Sequence, residues 1–359
     1  MRHEICVECL PDLNKTQLEQ WCAFLATAVH QHPRQSPLFA VPEAALGRQP
    51  LYAIGRRDGK ICAVALISLV PHPFLPGTWA RGLCLSGPVC DDAVTMMTFL
   101  ETLAANPCLS RVGALHVTPY WLEAEAEALD AVLASAGWRV AEPERYRRTG
   151  LVDITRPPEQ ILAELSKSAR REVRRAERQG VAFGAVKAPE EALTFMTSLN
   201  RLRLSRGLDE MALPAFMASY DVLYANQDLG NIIGAWKEDV FLGGLLVYRS
   251  RDVVHGRHFT TEPEDLRRAG NLRIAPALWL EAMKWAQRKG CRTLDVEGYD
   301  EPVEGDKKFN IYKYKSEMNP RIVTRISERA KILNATLYLT GNARQLARSG
   351  LKRLKSALQ

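Results

Sequence analysis

Two carboxylates stand close to a run of lysines and tyrosines in the last third of the chain. Asp295 and Glu297 alternate with Leu294 and Val296, and on a strand that spacing turns both carboxylates to one face. Polar residues leaving the end of a buried strand commonly line the cleft into which it opens. Downstream follow Tyr312, Lys313, Tyr314 and Lys315. Carboxylates and lysines so grouped can move protons and hold anions. They can equally pair with one another and do nothing further.

A second group is cationic. Residues 161–179 read as one two-faced helix, in which Lys167, Arg170, Arg171, Arg174, Arg175 and Arg178 fall within an arc of about 140°. Leu162, Leu165, Ala169, Val173 and Ala176 occupy the opposite side. Such a strip suits a nucleic-acid backbone or a diphosphate; the plainer reading is a solvated face laced by i,i+4 pairs. No G-x-S-x-G element is present. None of the eight cysteines or seven histidines stands in a context that marks a nucleophile or a relay. Direct transfer without a covalent intermediate is the economical chemistry.

The elements that must position these groups come in two similar sets. Leu51–Ile54 and Ile61–Val70 flank a polar turn, as Asn231–Trp236 and Val240–Tyr248 do later. Each pair is followed by a helix and a strand: Val94–Ala105 then Val112–Val117, and Ile274–Arg288 then Thr293–Val296. The offset of roughly 180 residues reads as a duplicated hairpin–helix–strand module. Helix–strand alternation favours an α/β fold with mixed sheets. A boundary is expected near Asp153–Pro158, with Thr155 capping the next helix, and Gly290 is expected to stop the second crossover helix. Residues 1–154 then form a first domain, 155–340 a second and 341–359 a tail.

With 359 residues, 47% of them hydrophobic, each half can bury its own core. No apolar run reaches the ~20 residues of a membrane span, and the N-terminus lacks a signal-peptide pattern; a cytoplasmic protein is expected. Cys6 and Cys9 form a lone C-x-x-C with no second pair, so a metal is not expected and the cysteines read as reduced, mostly buried thiols. The net charge of +7 is concentrated: residues 321–359 hold nine Lys/Arg against Glu328 alone. Within the tail, Ala343, Leu346, Ala347, Leu351, Leu354 and Leu358 keep helical spacing, with Arg344, Arg348, Lys352 and Lys355 on another face. That pattern fits docking on the second domain, a peripheral membrane contact, or RNA.

The order of short motifs resembles the Fem family (FemA, FemB, FemX) of the GNAT superfamily. The basic helix from Lys167 to Val181, Trp285-Ala286-Gln287-Arg288-Lys289-Gly290, the strand end Asp295 to Gly298, and the closing Tyr312-Lys313-Tyr314-Lys315 follow in the family's order. Upstream, Gln35-Ser36-Pro37, Arg81-Gly82 and Gly87-Pro88 are similar to its first domain, so the likeness covers most of residues 20–325. Tyr314 and Asn319 stand where Phe and Gly are usual. No long helical hairpin is inserted between Gly180 and Arg206, as in the compact FemX type.

The resemblance implies two tandem GNAT-like domains and transfer of an aminoacyl group from tRNA, with no cofactor, to an amine of UDP-MurNAc-pentapeptide or a lipid II-like acceptor. Lys315 falls on the family's basic residue near the reacting ester, and Arg206 resembles an arginine that holds substrate phosphate. Aminolysis of an ester needs a neutral amine, a stabilised oxyanion and a proton for the leaving oxygen. Lys315 would meet the charge, and Asp295 or Glu297 would orient or deprotonate the amine. The rival on the same fold is an acyl-CoA N-acyltransferase, whose R/Q-x-x-G-x-G/A loop cradles the pyrophosphate at a helix N-terminus. Arg267, Arg268 and Gly270 fit that pattern, but Leu272 stands at its last position. A third reading is a non-catalytic binding protein on the same scaffold.

Overall fold

The computed structural model describes residues 4–141, 147–299 and 309–342, with the side chains of 309–311 left aside. The chain divides into two compact units, one of residues 1–145 with 326–359 and one of residues 146–325. Each is an α/β unit built on one seven-stranded mixed sheet, the class expected from the helix–strand alternation.

The first unit contains β1 (Cys6–Leu10), β2 (Gln49–Arg57), β3 (Lys60–Pro71), β4 (Trp79–Cys84), β5 (Val112–Val117) and β6 (Arg139–Val140). The second contains β7 (Arg148–Asp153), β8 (Ala182–Ala185), β9 (Gly230–Lys237), β10 (Val240–Ser250), β11 (Val253–Thr261), β12 (Thr293–Asp295) and β13 (Arg321–Thr324); β14 (Arg329–Ile332) returns to the first. The sheet orders are β1-β2-β3-β4-β5-β14-β6 and β13-β7-β12-β11-β10-β9-β8. In each, one central pair is parallel, β4 with β5 and β11 with β12.

The duplication extends to the turns. β2 and β3 are joined by Asp58-Gly59, and β9 and β10 by Glu238-Asp239, with both residues of each turn at positive φ. That is the conformation of two-residue hairpins whose twist matches the strands. The crossover helices are Ala93–Ala104, capped by the Asp92 carboxylate on the Thr95 amide at 2.8 Å, and Ala275–Arg288, stopped at Gly290 with φ 79°. Both bury their apolar faces. Phe99 and Met96 enter the core of the first unit, and Trp279 and Met283 that of the second.

Three boundaries differ from the sequence reading. The second unit begins at Tyr146, not near residue 155, because β7 pairs with β12 and β13 in the second sheet. Residues from Ile326 return to the first unit, where β14 lies between β5 and β6 and the helix Ala335–Gly341 packs on β4 and β5. The predicted single helix over 161–179 is two, Pro158–Glu164 and Lys167–Arg178, broken at Leu165 where the backbone is extended and the side chain is buried. Thr155 caps neither: its amide and hydroxyl donate to Asp153 Oδ1 at 2.9 and 2.7 Å. Ser166 takes the cap of the second helix, accepting from Ala169 N at 3.0 Å.

Three cysteines are buried, three half-buried, and Cys6 and Cys22 exposed. Cys6 and Cys9 lie three apart on β1, so they face opposite sides of the sheet and cannot share a metal. No described helix is long and apolar enough to cross a membrane. The amphipathic pattern beyond Asn342 lies outside the described residues.

Candidate functional site

The site is built where the parallel pair of the second unit separates. β11 and β12 pair only as Val253↔Thr293, Val254↔Leu294 and His255↔Asp295. Past that point β11 continues to Thr261 beside β10, while the other chain turns away through Val296, Glu297 and Gly298. Gly256 allows this. A Cβ there would lie 2.2 Å from the Trp279 ring, which packs directly on the strand where pairing ends.

Asp295 is fully buried at that point. Its Oδ1 accepts a hydrogen bond from Thr149 Oγ1 and another from the Glu297 amide at 2.7 Å, and Oδ2 lies 3.6 Å from His255 Nδ1. Burial alone would raise its pKa. The His255 imidazole, the Arg325 charge and the Thr149 hydroxyl outweigh burial and hold the carboxyl well below the usual range. His255 Nε2 meets Ser250 Oγ at 3.0 Å. Serine, histidine and aspartate thus stand in series, but all three are buried, so this is a structural network and not a nucleophilic triad. Strand alternation does not continue past Asp295: β12 ends there, and Glu297 has a left-handed φ of 48°. Asp295 is buried and holds the turn, while Glu297 is partly exposed, with its carboxylate within 4.8 Å of a His255 ring nitrogen.

Glu297 Oε2 accepts from Arg257 Nη1 at 2.9 Å. Lys315, on the helix Phe309–Ser316, reaches the same turn. Its Nζ donates to the Glu297 carbonyl oxygen, and to that of Gly298 at 3.0 Å, and the residue is buried. The ammonium is thereby fixed at the strand end beside a guanidinium–carboxylate pair. Tyr314 packs between Phe259 and Trp279, with ring centroids at 5.3 and 6.5 Å, and Tyr312 meets Tyr299 edge-on at 5.2 Å. Lys313 points to solvent. The site therefore unites Asp295, Glu297, Tyr312, Tyr314 and Lys315. It adds His255 and Arg257, which the sequence reading missed. Their signal was two polar residues two apart on a strand that begins Val253-Val254 and runs on to Phe259.

The basic strip is only partly available. Arg170 Nη1 donates to the carbonyls of Ala163 and Leu165 at 2.6 and 2.7 Å, closing the end of the preceding helix. Arg175 donates to the Gly270 carbonyl at 2.5 Å and lies 3.7 Å from the buried Glu172, which Arg171 also contacts at 3.3 Å. Lys167, Arg174 and Arg178 are exposed.

The loop Arg267–Leu272 has a local task. It closes the short helix Pro263–Arg268: the Ala269 amide bonds to Asp265 O, those of Gly270 and Asn271 to Arg267 O, and that of Leu272 to Leu266 O, at 2.8 to 3.3 Å. Gly270 and Asn271 take positive φ, Leu272 is buried, and Arg268 pairs with Glu264 and Asp265. These amides are consumed within the turn, so a pyrophosphate would find few donors there. Arg206 caps the helix Pro189–Ser205, and no hydrogen bond or ion pair among the described residues joins its side chain to the Lys315 cluster.

A cavity of about 500 Å³ lies elsewhere in the second unit, at the start of β12. Arg156, Arg292, Arg321, Asp153, Glu164 and Asn319 line it. None of the strand-end residues contributes to it.

Residues 163–316 match the family described as "Acetyltransferase (GNAT) domain". No curated protein matches the chain by sequence. Among solved structures, FemX is similar at 15% identity with a TM-score of 0.76, over 92% of this chain and 98% of that one. The C-terminal domain of a protein from Agrobacterium fabrum, provisionally named a lysylphosphatidylglycerol synthetase, is 13% identical with a TM-score of 0.53, over 92% and 95%. A tandem GNAT protein from the clavulanic acid biosynthesis pathway is 11% identical with a TM-score of 0.52, over 92% and 99%. The strand-end site thus lies inside the segment that matches a GNAT acetyltransferase domain, and the fold of the chain is similar to that of FemX.

Proposed function

We propose that this protein forms an amide bond by moving an aminoacyl group from tRNA directly onto an amine, the acceptor being a peptidoglycan-precursor peptide such as UDP-MurNAc-pentapeptide or a lipid II-like molecule. The observation that carries the choice of donor is the loop Arg267–Leu272. Its amides bond to their own turn, whereas a CoA pyrophosphate needs such amides turned outward. The exposed Lys167, Arg174 and Arg178, with Arg171 beside them, suit a longer polyanion. Likeness to FemX supports the same reading.

In the reaction the amine nitrogen attacks the ester carbonyl, the C–O bond to the ribose breaks, and the ribose oxygen takes up a proton as the amide forms. Lys315 supplies fixed positive charge for the oxyanion or the terminal phosphate. Glu297, partly exposed, orients the amine or receives its proton, with Arg257 setting the carboxylate. Asp295 is a positioning residue, since its oxygens hold Thr149 and the Glu297 amide.

The match to an acetyltransferase description favours a second reading, transfer from acyl-CoA. One experiment separates them: incubate the protein with labelled amino acids on a mixed tRNA pool and the acceptor peptide, with and without RNase, beside parallel reactions with acyl-CoA donors. RNase-sensitive labelling of the acceptor is expected. Labelling from acyl-CoA, with none from tRNA to either acceptor, would overturn the proposal.

A further inference from the structure

We propose that the cavity at the start of β12 is a binding site for a small organic anion, one with a carboxylate or phosphate head and an apolar body. The inference is independent of which donor the second unit uses, because no residue of the Lys315 cluster lines that cavity. Its volume, about 500 Å³, is that of a small-molecule pocket. Ile161, Leu165 and Met318 line it with buried apolar side chains. Its charged lining is three guanidiniums, of Arg156, Arg292 and Arg321, against the carboxylates of Asp153 and Glu164.

Both carboxylates are already served within the fold. Arg156 Nη1 donates to Glu164 Oε1, and Asp153 Oδ1 accepts from the Thr155 amide and hydroxyl at 2.9 and 2.7 Å. The Thr155 bonds, then the Arg156 and Arg292 charges, hold the Asp153 carboxyl below its usual range, so it stays ionised. Three polar groups on the wall are not served. Among the described residues, no hydrogen bond or ion pair engages the Arg292 guanidinium, the side-chain amide of Asn319, or the buried Nε of Arg156. One exposed arginine without a partner is ordinary. Its meeting with a second donor and an orphaned buried N–H on a single cavity is what a bound acceptor would explain.

Asn319 sharpens the assignment. It follows the helix Phe309–Ser316 with a φ of 50°, a conformation that glycine or asparagine adopts readily. Glycine would satisfy the backbone alone, whereas asparagine adds an amide to the cavity wall. The wall itself is pinned. The amides of Met318 and Asn319 donate to the carbonyls of Lys315 and Ser316 at 3.1 and 3.0 Å. Gln287 Nε2 donates to the carbonyls of Ile154 and Arg156 at 2.8 and 2.6 Å. The Arg292 amide donates to Asp252 O at 2.7 Å, and its carbonyl accepts from the Ile154 amide at 2.9 Å. A pocket held open by its own backbone has little entropy left to lose when it is filled. Planar guanidiniums match the oxygens of a carboxylate or phosphate, and the apolar lining favours a hydrocarbon body behind that head.

The test titrates the full chain, by calorimetry, with N-acetylphenylalanine, phenyl phosphate, and N-acetylphenylalanine amide, which keeps the body and lacks the charge. Saturable binding of an anion at one site per chain is expected, and the tighter anion names the head group. The uncharged amide should bind about tenfold more weakly or worse. Arg292→Gln should weaken anion binding about tenfold, and Asn319→Gly about threefold. Both variants should keep the thermal midpoint, because both side chains are exposed. A parent that neither anion saturates overturns the proposal, as does an amide that binds as tightly as the acid. So does binding that both variants leave as tight as in the parent, which would place the anion on another basic surface.

Discussion

The two units share a plan yet end their central parallel pair differently. In the first, β4 and β5 stay in register from Trp79↔Val112 to Cys84↔Val117, and every residue of β5 is buried. In the second, pairing stops after three residues and β11 runs on to Thr261 without β12. Both strand ends carry an imidazole and a carboxylate. His116 Nδ1 meets Glu328 Oε1 at 2.9 Å in the first unit, and His255 Nδ1 lies 3.6 Å from Asp295 in the second. Only the second adds the left-handed Glu297, the Arg257 guanidinium and the Lys315 ammonium, because only there do the strands part to admit them. A continuous parallel pair spends its backbone groups on its neighbour. A parted one leaves a strand edge and a turn where side chains and carbonyls can meet a substrate.

The largest expected effect follows from that contrast. Lys315→Met keeps the apolar stem and removes the charge, and transfer should fall by about 10²–10³-fold, with a smaller loss of stability from the released Glu297 and Gly298 carbonyls. His116→Gln, at the corresponding strand end of the first unit, should alter stability and leave kcat as it was. Steady-state kinetics beside thermal unfolding read both. Equal losses of kcat in the two variants would dissolve the distinction between a working unit and a scaffolding one.

Asp295 offers a sharper, pH-resolved test. Its folded-state pKa is depressed, so the stability it contributes is fully present above its unfolded value of about 3.9. As pH falls below that value the unfolded chain takes up a proton the folded chain refuses, and the contribution drains away until the folded pKa is passed. Asp295→Asn should cost about 3 kcal/mol at neutral pH, as expected for breaking a buried charged network. The gap should narrow toward pH 3. Urea unfolding across that range checks the sign; a penalty constant with pH would make Asp295 a matter of shape rather than charge.

What the sequence revealed and what it hid follow from the range of the interactions. The hairpins and crossover helices were legible because apolar alternation and helical spacing are local, and because Gly290 stops a helix wherever it stands. The ownership of β7 and β14 was not. Each is short, and long-range pairing with β12 and β5 assigns it to a sheet. The break at Leu165 was hidden because apolar spacing runs through it; what changes there is the backbone. Asp295, Glu297 and Lys315 were found by position, but the two carboxylates separated only where β12 ends, one fully buried and the other partly exposed. The Arg267–Leu272 loop was ambiguous in the sequence for a related reason. Its side chains resemble a phosphate cradle, whereas the amides that would do the cradling close the preceding helix.

The smallest effect is expected on the helix Lys167–Arg178, where the structure divides one basic strip into cations spent within the fold and cations left outward. Arg170 and Arg175 serve carbonyls of neighbouring turns; Lys167, Arg174 and Arg178 are exposed. Replacing any one of the outward three by serine should leave the folded protein unchanged and lower the salt slope of tRNA affinity by roughly 0.7 to 0.9, the share of one phosphate contact. Arg175→Ser should behave differently. It frees the Gly270 carbonyl and the buried Glu172 carboxylate, so stability should fall while the salt slope holds. Filter binding over a salt series, paired with unfolding midpoints, separates the two outcomes. If Arg175→Ser shifts the slope as much as Arg174→Ser does, the strip acts as one surface, and the division drawn from its hydrogen bonds has no bearing on what it binds.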